Sequence, residues 1–437
     1  MQKVLVVGIS ESGFCAARLL LAMNKSVFLF DDQLKGQTLV KARELVGQGC
    51  FLLSRREDVQ AAELDLVVVS PSIAPGHPIL ELMAGRGVPV ISEIELAYRY
   101  CLGDVLAVTG TNGKSTTVGL LGRMLSEDGR KSVVCGNYGN AFSGEVLKDC
   151  SAFVVEVSSY QLEHVDRFRP KIAALLNIAE DHLMRHKTME NYLAQKLRVF
   201  SNMREGDVAV LNADDPVVVR AAEVIPAQLC WFSAEGRVKR GCDIRSGFIC
   251  FNGRRVCRVE ANHLKGIHNL ANVLCAVAMA KLYGVTNAAI KRALSEFYGI
   301  RHRMERIGVF KGVEIYNDSK ATNPASTVAA LRAIPGTVVL LLGGLDKEMD
   351  FSPLAPFADR IRFAVLYGEC RAKIAAALPE SIPTADCGME FERAIRTACD
   401  HAQPGDTVLL APACASMDMF RDYKERGDRF AAFVKQL

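Results

Sequence analysis

The stretch that decides the fold is Val105-Leu-Ala-Val-Thr-Gly-Thr-Asn-Gly-Lys-Ser-Thr-Thr117. Its short apolar run predicts a buried strand, and the glycine-containing segment behind it predicts a loop that opens a helix. Apolar residues three or four positions apart give that helix a core-facing side; they are Val118, Leu121, Met124 and Leu125. Such a loop aims backbone N–H groups and the positive end of a helix dipole at one point, which suits a phosphate.

Nucleotide binding depends on the two residues at the start of this helix. Lys114 can reach terminal phosphates, and the hydroxyl of Ser115 can ligate a magnesium ion. The general phosphate-loop pattern has a glycine where Val108 stands, so the match is limited to Gly110-x-x-Gly113-Lys-Ser. A flexible turn between strand and helix is the alternative. The apolar strand before the loop and the Lys-Ser-Thr run at the helix start favour a nucleotide.

The overall composition indicates a globular chain of several domains. A length of 437 residues predicts about three domains, and 50% hydrophobic with 23% charged residues allows a large packed core. A net charge of +4 without a basic block gives no sign of a nucleic-acid partner. The 14 cysteines form no C-x-x-C pair, which predicts reduced thiols. Neither a membrane span nor a signal peptide is recognisable, so a cytoplasmic protein is expected.

The first 95 residues have the pattern of a dinucleotide-type βαβ unit. Lys3–Val7 and Ser26–Phe30 are predicted strands, separated by the turn Gly8–Gly13 and a helix over Phe14–Met23. Carboxylates follow the second strand about 20 residues after the turn, as in nucleotide-binding units. Ser10 replaces the middle glycine of a dinucleotide turn, which argues against NAD or FAD. A nucleotide-like ligand in the same crevice and a purely structural turn both remain.

A polar loop follows a further strand of this region. Leu64–Ser70 predicts the strand, and Pro71–Gly76 is the loop behind it. Because open α/β sheets bind ligands at the carboxyl ends of their strands, this loop is expected to lie at the ligand-binding edge.

Two polar positions follow predicted elements of the central segment. Glu156 ends the strand Ala152–Val157, where a carboxylate near a phosphate loop commonly holds Mg²⁺. A solvent-facing glutamate is the alternative, but its apolar neighbours favour burial, and a buried carboxylate needs a partner. Asn137, in the turn Gly136–Gly139, can donate a hydrogen bond to a ligand.

His182 and His186 follow the next predicted strand, Ile172–Asn177, with the spacing of a zinc pair. The glutamate of an H-E-x-x-H helix is missing, which disfavours zinc. A hydroxyl, a carboxylate and a histidine that converge on a magnesium-bound nucleotide explain the residues better.

Two further positions allow both a structural and a functional interpretation. Lys196 falls within the apolar stripe of a helix predicted over Met189–Asn202, so it either extends to the surface or is held inside a site. Asn269 and Asn272 share a helix face and can clamp a purine or ribose, whereas helix capping by Asn269 is the alternative. The pattern decides neither case.

The last third of the chain repeats the arrangement of strands that end in polar clusters. Strands are predicted at Val313–Tyr316, Val338–Leu342, Arg362–Tyr367 and Thr407–Ala411. The polar residues behind them include Asp318, Lys320, Asp346, Lys347 and Ser416. Since parallel strands bring such loops to one edge, a second substrate or nucleotide surface is predicted here.

Nine segments together are similar to the Mur ligase family of peptidoglycan synthesis along nearly the whole chain. In chain order they are TGTNGKST, EVSSYQLE, NIAEDH, AQKLRVF, GIHNLAN, RHRME, NDSKATN, GGLDK and APACASMDMF. The resemblance implies an α/β fold of three domains. These are a Rossmann-like UDP-substrate-binding domain over 1–95, a central P-loop ATPase domain with a mostly parallel sheet over 96–300, and a Rossmann-like C-terminal domain for amino-acid and ATP contacts over 301–437.

The segments NDSKATN and PACASMDMF are most similar to family members that add D-glutamate to UDP-N-acetylmuramoyl-L-alanine. This similarity implies that ATP, with Mg²⁺, phosphorylates the alanyl carboxylate, that the amine of D-glutamate attacks the acyl phosphate, and that phosphate leaves. A monomer is expected. Another amino-acid-adding Mur ligase, a folylpolyglutamate synthase-like enzyme and a non-catalytic nucleotide-binding module are the alternatives. An NAD-dependent oxidoreductase would leave the central phosphate loop unexplained.

Matching the family motifs residue by residue implies a set of site residues. The catalytic residues are Lys114, Glu156, His182 and Lys196. The ATP contacts are Gly110, Thr111, Asn112, Gly113, Lys114, Ser115, Thr116, Asn269, Asn272, Arg303 and Asp318. The metal ligands are Ser115, Glu156, His182 and Lys196, the last as a carbamate. The UDP-substrate contacts are Ser10, Ser12, Asp32, Ser72, Asn137 and His182, and the D-glutamate contacts are Lys320, Thr322, Lys347, Ser416, Met417 and Tyr423.

The uridine end departs most from the family pattern. Glu11 and Ser12 occupy the phosphate-binding turn, Asp32 and Gln33 follow the second strand, and Ser72 replaces a common glycine. An acidic Glu11 near a diphosphate would repel it unless this side chain is turned away or paired.

Overall fold

Three β-sheets organise the chain in the computed structural model, which describes residues 2–264, 266–346 and 349–437. Two of the sheets belong to one compact unit, Met1–Phe297, and the third belongs to a second unit, Tyr298–Leu437. Helices alternate with mostly parallel strands, so the predicted α/β class is confirmed. The predicted boundary between residues 95 and 96 stays a prediction, because the sheets on either side of it share one compact unit.

The N-terminal sheet is parallel throughout and has the strand order β3-β2-β1-β4-β5. Its strands are β1 (Lys3–Val7), β2 (Ser26–Phe30), β3 (Phe51–Leu52), β4 (Leu66–Val69) and β5 (Val90–Ser92). Its helices are α1 (Glu11–Ala22), α2 (Gly36–Gly47), α3 (Arg56–Ala61), α4 (Pro78–Gly85) and α5 (Glu93–Arg99). The chain runs outward from β1 to β3 and then crosses to β4, which places the topological switch point between β1 and β4.

Two glycines let helix α1 pack directly behind strand β1. Gly8 has a φ of +86°, and a Cβ atom on Gly13 would lie 1.9 Å from the carbonyl oxygen of Gly8. Helix α1 begins at Glu11 instead of the predicted Phe14, because Ser10 takes the N-cap position. Half of the predicted turn is therefore the first turn of a helix.

The central sheet has the order β14-β13-β12-β11-β10-β9-β6-β8-β7; it is parallel from β7 to β12 and ends in two antiparallel strands. Its strands are β6 (Asp104–Thr109), β7 (Ser132–Gly136), β8 (Ala152–Glu156), β9 (Ile172–Leu175), β10 (Val208–Asn212), β11 (Gln228–Phe232), β12 (Gly241–Arg245), β13 (Phe248–Phe251) and β14 (Arg254–Arg258). Strand β6 is the predicted apolar run, and its residues 105–108 are almost completely buried. Parallel strands covered on both faces need such continuous apolar runs.

The helices around the central sheet are α6 (Lys114–Glu127), α7 (Phe142–Glu145), α8 (Ser159–Leu162), α9 (Leu183–His186), α10 (Met189–Leu197), α11 (Pro216–Ala221), α12 (Ile267–Leu282) and α13 (Asn287–Glu296). Short 3₁₀ helices follow at Arg198–Phe200, Ala222–Val224 and Val259–Ala261. The helix predicted over Met189–Asn202 is thus divided into α10 and a 3₁₀ turn. The predicted strands of the chain differ from the observed strands by at most two residues at either end.

The second unit has the strand order β15-β16-β20-β17-β18-β19, in which β15 is the antiparallel strand. Its strands are β15 (Glu305–Phe310), β16 (Val313–Asn317), β17 (Val338–Gly343), β18 (Ile361–Tyr367), β19 (Thr384–Asp386) and β20 (Thr407–Ala413). Its helices are α14 (Pro324–Ala333), α15 (Arg371–Ala377), α16 (Phe391–His401) and α17 (Tyr423–Val434), with a 3₁₀ helix at Ser352–Arg360. Strands β16, β20 and β17 are neighbours, so the polar loops behind them share one edge of the sheet.

Two predictions about the chain as a whole can also be compared with the structure. All 14 cysteines are free thiols, as their scattered spacing predicts. Within the described ranges, no helix combines the length and the apolar character that a membrane crossing requires.

Candidate active site

The predicted phosphate loop, residues 110–113, connects the buried strand β6 to helix α6. Gly113 occupies the N-cap position of α6 with a φ of +85°, a conformation that glycine adopts without strain. A Cβ atom at this position would lie 2.1 Å from Oδ1 of Asn272. Helix α12 therefore brings Asn272 directly against the loop, and a side chain in place of Gly113 would displace it.

The loop is held from the other side by Asn177, which follows strand β9. The backbone N–H of Asn112 donates to Oδ1 of Asn177 (2.8 Å), and Nδ2 of Asn177 donates back to the Asn112 carbonyl (3.1 Å). The N–H of Thr111 donates to the carbonyl of Asn177 (2.9 Å). Sequence reasoning gave Asn177 no role, although it opens the NIAEDH segment. Its contacts fix the backbone that would face a phosphate.

Two lysines converge on one carbonyl of this loop. Nζ of Lys114 donates to the carbonyl oxygens of Gly110 (2.9 Å) and Thr111 (2.8 Å), and Nζ of Lys196 donates to that of Gly110 (2.8 Å). Lys196 is 1% exposed and lies over the ring of Tyr192, with Nζ 4.6 Å from the ring centre. Lys196 does not reach the surface, so the surface interpretation is wrong.

Burial changes the protonation of Lys196. Removal from water, together with the charge of Lys114, lowers its pKa from 10.5 to about 7, although Asp181 and Glu156 act in the opposite direction. A lysine of this kind is partly an uncharged amine near neutral pH. An uncharged amine can react as a nucleophile, which an ordinary surface lysine rarely does.

Glu156 is a buried carboxylate with one oxygen left unpaired. It pairs in register with Val108 of β6, which places it beside the strand that leads into the loop. It is 2% exposed; Oε1 accepts from Nδ2 of Asn137 (2.6 Å), while Oε2 has no hydrogen-bond partner within the described residues. The solvent-facing interpretation is wrong. A buried anionic oxygen without a donor suits a cation, so Glu156 fits Mg²⁺.

The two histidines of the predicted zinc alternative have separate partners. Nδ1 of His182 lies 3.1 Å from the Tyr160 hydroxyl, and Nε2 of His186 lies 3.0 Å from the Ser159 hydroxyl. No group of three His, Cys, Asp or Glu side chains that could hold a metal occurs in the described part of the chain. The structure thus gives no support to a zinc site.

Burial and nearby cations lower the pKa of His182, as burial and the charge of Lys114 lower the pKa of Lys196. Burial and the charges of Lys196 and Lys114 lower the pKa of His182, against the opposite influence of Asp181. His182 is therefore in electrostatic contact with both lysines of the loop. Its neutral imidazole keeps a nitrogen available as a ligand or hydrogen-bond partner.

The asparagines of helix α12 face the phosphate loop together. Gly266 takes the N-cap position of α12, so the capping interpretation of Asn269 is wrong. Nδ2 of Asn272 lies 3.5 Å from Oδ1 of Asn269, at the limit of a hydrogen bond. Both amides thus lie on the side of the helix that contacts Gly113. This position agrees with contacts to a bound nucleotide.

Four of the predicted UDP-substrate residues, Ser10, Ser12, Asp32 and Ser72, lie along the carboxyl edge of the N-terminal sheet, whereas Asn137 and His182 follow strands of the central sheet. The Ser10 hydroxyl is 3.3 Å from that of Ser70, and Ser72 is exposed in the loop behind β4. Ser12 lies in helix α1 instead of the predicted turn. Glu11 pairs with Lys41, so the repulsion expected from an unpaired Glu11 is relieved.

Arg185 connects this edge to the segment that contains His182. Its guanidinium donates to the carbonyl of Ile73 (2.6 Å) and to Glu163 (2.9 Å), and it lies 4.4 Å from the ring centre of Tyr160. The loop behind β4 and the loop behind β9 are thereby joined within the first unit. Sequence reasoning did not assign Arg185, because its partners are far apart in the chain.

In the second unit the polar loops behind β16 and β20 contain most of the predicted residues. Asp318 is 6% exposed and accepts from the Met304 N–H (3.2 Å). Burial raises its pKa to about 6, although Arg303 and Lys320 act to lower it. In the structure, Arg303 and Lys320 are thus close enough to Asp318 for their charges to affect its pKa.

Four of the predicted D-glutamate residues, Lys320, Thr322, Ser416 and Met417, occupy the same loops. Nζ of Lys320 lies 6.0 Å from the ring centre of Tyr423, at the start of α17. Thr322 follows Lys320 in one turn, Ser416 is buried, and Met417 is half-exposed. The predicted residue Lys347 lies outside the described residues.

A fully buried arginine holds these two loops together. The guanidinium of Arg426 donates to the hydroxyl (2.9 Å) and carbonyl (2.8 Å) of Ser319 and to the Cys414 carbonyl (3.1 Å). Arg426 was not singled out from the sequence. It shares a helical face with Phe430 and Val434, and a cation in an apolar stripe is the signal that marked Lys196.

Family models match most of the central and C-terminal regions of the chain. One, the Mur ligase middle domain, matches residues 108–280, and another, described as Mur ligase, glutamate ligase domain, matches residues 302–414. The chain therefore belongs to the Mur ligase family. It is an ATP-dependent ligase that forms amide bonds.

Curated relatives match the chain over its full length. The UDP-N-acetylmuramoylalanine–D-glutamate ligase of Geobacillus kaustophilus is 39% identical over 443 residues, covering 100% of this chain and 98% of that protein. The enzyme of the same name from Koribacter versatilis is 39% identical over 450 residues, with the same coverage. The resemblance inferred from the nine sequence segments is confirmed.

Solved structures confirm the fold. The UDP-N-acetylmuramate–alanine ligase of Thermotoga maritima superimposes with a TM-score of 0.61 at 17% identity, and 100% of each chain is covered. MurF from Acinetobacter baumannii superimposes with a TM-score of 0.58 at 17% identity, covering 99% of this chain and 93% of that one. The three-domain ligase fold implied by the resemblance is thus the fold of this chain.

Proposed function

We propose that the chain adds D-glutamate to UDP-N-acetylmuramoyl-L-alanine with hydrolysis of ATP to ADP and phosphate. The names of the full-length relatives support these substrates. The observation that best supports phosphoryl transfer is the unpaired, buried oxygen of Glu156, which lies beside a phosphate loop on which two lysines converge. Developing negative charge on transferred phosphoryl and carbonyl oxygens needs fixed cations and donors of this kind.

The reaction proceeds in two steps. An oxygen of the alanyl carboxylate attacks the terminal phosphorus of ATP, the bond to ADP breaks, and an acyl phosphate forms. The uncharged amine of D-glutamate then attacks the acyl carbon, a tetrahedral intermediate forms, and phosphate leaves as the amide is completed. The amine loses its proton to the surroundings in the second step. No covalent bond to the protein is required.

In the first unit, Gly110 to Thr116 and the amides of Asn269 and Asn272 hold the nucleotide. Lys114 neutralises terminal phosphate oxygens while its Nζ remains close to the loop carbonyls. Bound Mg²⁺ would be held by Ser115, Glu156, His182 and carbamylated Lys196. A bound Mg²⁺ supplies positive charge against the negative charge that develops on the phosphoryl oxygens.

The protonation state of Lys196 allows its carbamylation. An uncharged Nζ attacks the carbon of carbon dioxide, an N–C bond forms as one C=O π bond opens onto oxygen, and the nitrogen releases one proton to leave the carbamate anion. The pKa of about 7 supports this step, because it leaves an uncharged amine available near neutral pH. The product adds an anionic oxygen donor to the site that contains Glu156.

The remaining predicted contacts are part of the same proposal. The UDP substrate contacts Ser10, Ser12, Asp32, Ser72, Asn137 and His182. In the second unit, ATP contacts Arg303 and Asp318, and D-glutamate contacts Lys320, Thr322, Lys347, Ser416, Met417 and Tyr423. The proposed domain limits are 1–95, 96–300 and 301–437. The enzyme is proposed to act as a monomer in the cytoplasm, the compartment in which ATP and the UDP substrate are found.

A coupled assay of ADP release tests the proposal. We expect turnover only when Mg²⁺, UDP-N-acetylmuramoyl-L-alanine and D-glutamate are all present. The Lys114→Ala variant should lose nearly all activity, while Lys131→Ala, which removes an exposed lysine paired with Asp149, should retain it. Turnover with L-lysine or diaminopimelate in place of D-glutamate would assign the chain to another amino-acid-adding ligase. Absence of turnover with every amino acid would contradict the proposal.

A separate measurement tests the carbamate. We expect activity of Lys196→Ala to be partly restored by short carboxylic acids, which can occupy the space of the missing carbamate. Full activity of Lys196→Ala without such an addition would contradict a role for this residue.

A further inference from the structure

A short segment at the end of the central sheet contains more positive charge than the chain as a whole. Of residues 237–258, seven are basic and one is acidic, which gives a net charge of +6, whereas the whole chain has +4. The basic residues are Arg237, Lys239, Arg240, Arg245, Arg254, Arg255 and Arg258. The remainder of the chain therefore has a net charge of −2, and the positive charge is concentrated in this segment.

Three of these cations line one cleft, which we call the basic cleft. It lies between the loop that leads from β11 to β12 and the turn that connects β13 to β14, and its volume is about 370 Å³. The lining residues are Arg237, Val238, Lys239, Arg245, Asn252 and Gly253. Small-molecule sites in proteins have volumes of roughly 300–1,000 Å³, so the basic cleft is large enough for a small ligand.

Asp243, the one acidic residue of the segment, is 1% exposed and is fully used by the protein itself. Nε and Nη2 of Arg245 donate to its two oxygens (2.9 and 2.8 Å), and the backbone N–H of Val238 donates to its Oδ2 (3.0 Å). Nη2 of Arg245 also donates to the Val238 carbonyl (3.2 Å). Asp243 thus holds Arg245 against the loop that contains the other two cations of the cleft.

The cations of the basic cleft exceed its acidic groups. In the part of the chain that the structure describes, Arg245 is the one member of the seven with a carboxylate partner. Asp243 balances one of the three charges in the cleft, so two positive charges remain for an external anion.

A second cleft of the same unit shows that such an excess is not a general property of the surface. This cleft has a volume of about 530 Å³ and lies at the start of β6. Its four cations each have a carboxylate within 3.6 Å; they are Arg99, Arg167, Arg169 and Lys171. The protein balances the charge of the second cleft with its own side chains, which it does not do in the basic cleft.

The basic cleft is separate from the phosphate loop. Strand β6, which leads into that loop, is separated from β12 by β9, β10 and β11. Four strand spacings of about 4.8 Å correspond to roughly 19 Å. A phosphate group held by the phosphate loop is therefore not a ligand of the basic cleft.

The surroundings of the cleft favour a small soluble anion over a nucleic-acid strand or a membrane. Nucleic-acid strands bind by stacking their bases on exposed aromatic rings, but the Phe248 ring is covered by Arg255 and Arg258, whose guanidinium carbons lie 4.3 and 4.9 Å from its centre. Attachment to a membrane interface requires exposed apolar side chains. Between residues 225 and 264, all of which the structure describes, no large hydrophobic side chain is exposed.

We propose that the basic cleft binds a small soluble anion with two or more phosphate groups, which Arg237, Lys239 and Arg245 hold. A phosphate group has three strong acceptor oxygens, so it can accept from cations in different directions, and a guanidinium donates to it in a bidentate manner. A second phosphate group allows one ligand to contact both Arg245 and the loop between β11 and β12. The proposed amide-forming reaction is not a premise of this inference.

Calorimetric titration of the full chain with inorganic triphosphate, without Mg²⁺, tests the site. Lys114→Ala is the background of every variant, so that residual binding at the phosphate loop is weak and equal in all of them. We expect the double substitution Arg237→Gln and Lys239→Gln to weaken triphosphate binding at least about tenfold, because two charge-assisted contacts are lost. Arg240→Gln is the matched control and should stay within about twofold, since Arg240 is exposed in the same loop and donates to Gln228.

Several results of this titration would overturn the proposal. They are equal weakening by Arg240→Gln, an unchanged affinity in the double variant, and no triphosphate binding by the Lys114→Ala chain. Orthophosphate should bind at least about tenfold more weakly than triphosphate, because one group cannot contact all three cations. Equal affinity for orthophosphate, or for the tricarboxylate citrate, would contradict a site for several phosphate groups.

Two further probes distinguish a small anion from a larger partner. They are vesicles of equal parts phosphatidylglycerol and phosphatidylcholine, and a single-stranded oligonucleotide of mixed sequence, both at about 0.15 M salt. We expect no sedimentation with the vesicles and weaker binding of the oligonucleotide than of triphosphate. Sedimentation with vesicles, or tighter oligonucleotide binding, that is lost in the double variant would assign the surface to a membrane or a nucleic acid and overturn the proposal.

The activity of the double variant, made in the chain with Lys114 intact, shows whether the cleft is separate from the reaction centre. We expect kcat and the KM for ATP in the assay of ADP release to stay within about twofold of the wild type. A higher KM for ATP would mean that Arg237 or Lys239 contacts the nucleotide, which would contradict a separate site. Because the triphosphate titration requires no turnover, its result is independent of whether the proposed reaction is correct.

Discussion

Lys196 and Arg426 are two buried cations that the molecule treats in opposite ways. Both lie in the apolar stripes of helices, one in each compact unit, and both are at most 1% exposed. The ammonium of Lys196 has one carbonyl acceptor, Gly110, and the face of Tyr192. The guanidinium of Arg426 donates to oxygens of Ser319, Cys414 and Ala415.

The difference lies in how each group responds to burial. A buried lysine amine with few partners holds its proton less tightly, and the pKa of Lys196 falls to about 7. An arginine cannot be deprotonated in a protein, so Arg426 is stable only because carbonyl and hydroxyl oxygens surround it. A buried lysine with few acceptors can thus lose its proton and react, whereas a buried arginine with many acceptors is suited to holding loops together.

The largest expected effect is on catalysis by Lys196→Ala. We expect kcat of ADP release to fall about a thousandfold, the size seen when a fixed electrostatic group is removed from a reaction centre. Far-ultraviolet circular dichroism should show the same fold, because the substitution removes a side-chain hydrogen bond to the Gly110 carbonyl and no backbone hydrogen bond. Lys131→Ala is the control. If Lys196→Ala kept more than a tenth of the wild-type kcat, Lys196 would not be a catalytic cation, and the proposed contrast with the structural Arg426 would be wrong.

Arg426→Met should affect stability most. We expect it to lower the free energy of unfolding of the second unit by about 3 kcal/mol, because buried carbonyl oxygens lose their donors. Denaturant titration followed by circular dichroism measures the change. Arg429→Met, which removes a half-exposed arginine paired with Glu392, should cost less than about 1 kcal/mol. Equal effects of the two substitutions would mean that the acceptors around Arg426 do not matter.

The pH dependence of stability sharpens the interpretation of Lys196. Its folded pKa of about 7 lies below its ordinary value of 10.5, so between these values the unfolded chain binds a proton that the folded chain does not. The free energy of unfolding should therefore rise with pH in this window, by up to about 1.4 kcal/mol per unit. The quantity to measure, in carbon-dioxide-free buffer, is the difference between wild type and Lys196→Met from pH 7 to 9. A difference that falls or stays constant would contradict the lowered pKa.

The smallest effect concerns the loop that provides the acceptor for Lys196. Asn177→Ala removes the two amide hydrogen bonds to Asn112. We expect KM for ATP to rise about fivefold, equivalent to about 1 kcal/mol, because the loop backbone becomes less ordered. Asn202→Ala is the control, since its amide donates to carbonyls at residues 166 and 168, away from the loop. An unchanged KM would show that the loop holds its shape without Asn177.

The positions of the strands were largely predictable from the sequence, whereas the starts of helices and the contacts across the sheets were less so. Continuous apolar runs located β6, β8 and β17 within one or two residues, because burial on both faces leaves a local signal. The start of α1 was wrong by three residues, since Ser10 is as suitable a cap as the residues behind it. The choice at Lys196 was open in the sequence, because a stripe position does not show what covers it.

Local sequence by itself determined the strand, the glycine loop and the helix that begins at Lys114, and similarity in nine segments determined the family. Such signals come from residues that are close in the sequence, from the period of the hydrophobic residues and from the order of the motifs along the chain. Only the tertiary structure decided that Lys114 and Lys196 share the carbonyl of Gly110, that Glu156 keeps one oxygen unpaired, and that Asp32 lies between His77 and Arg56. Their partners are far apart in the chain, and the order of strands in the sheets brings them together.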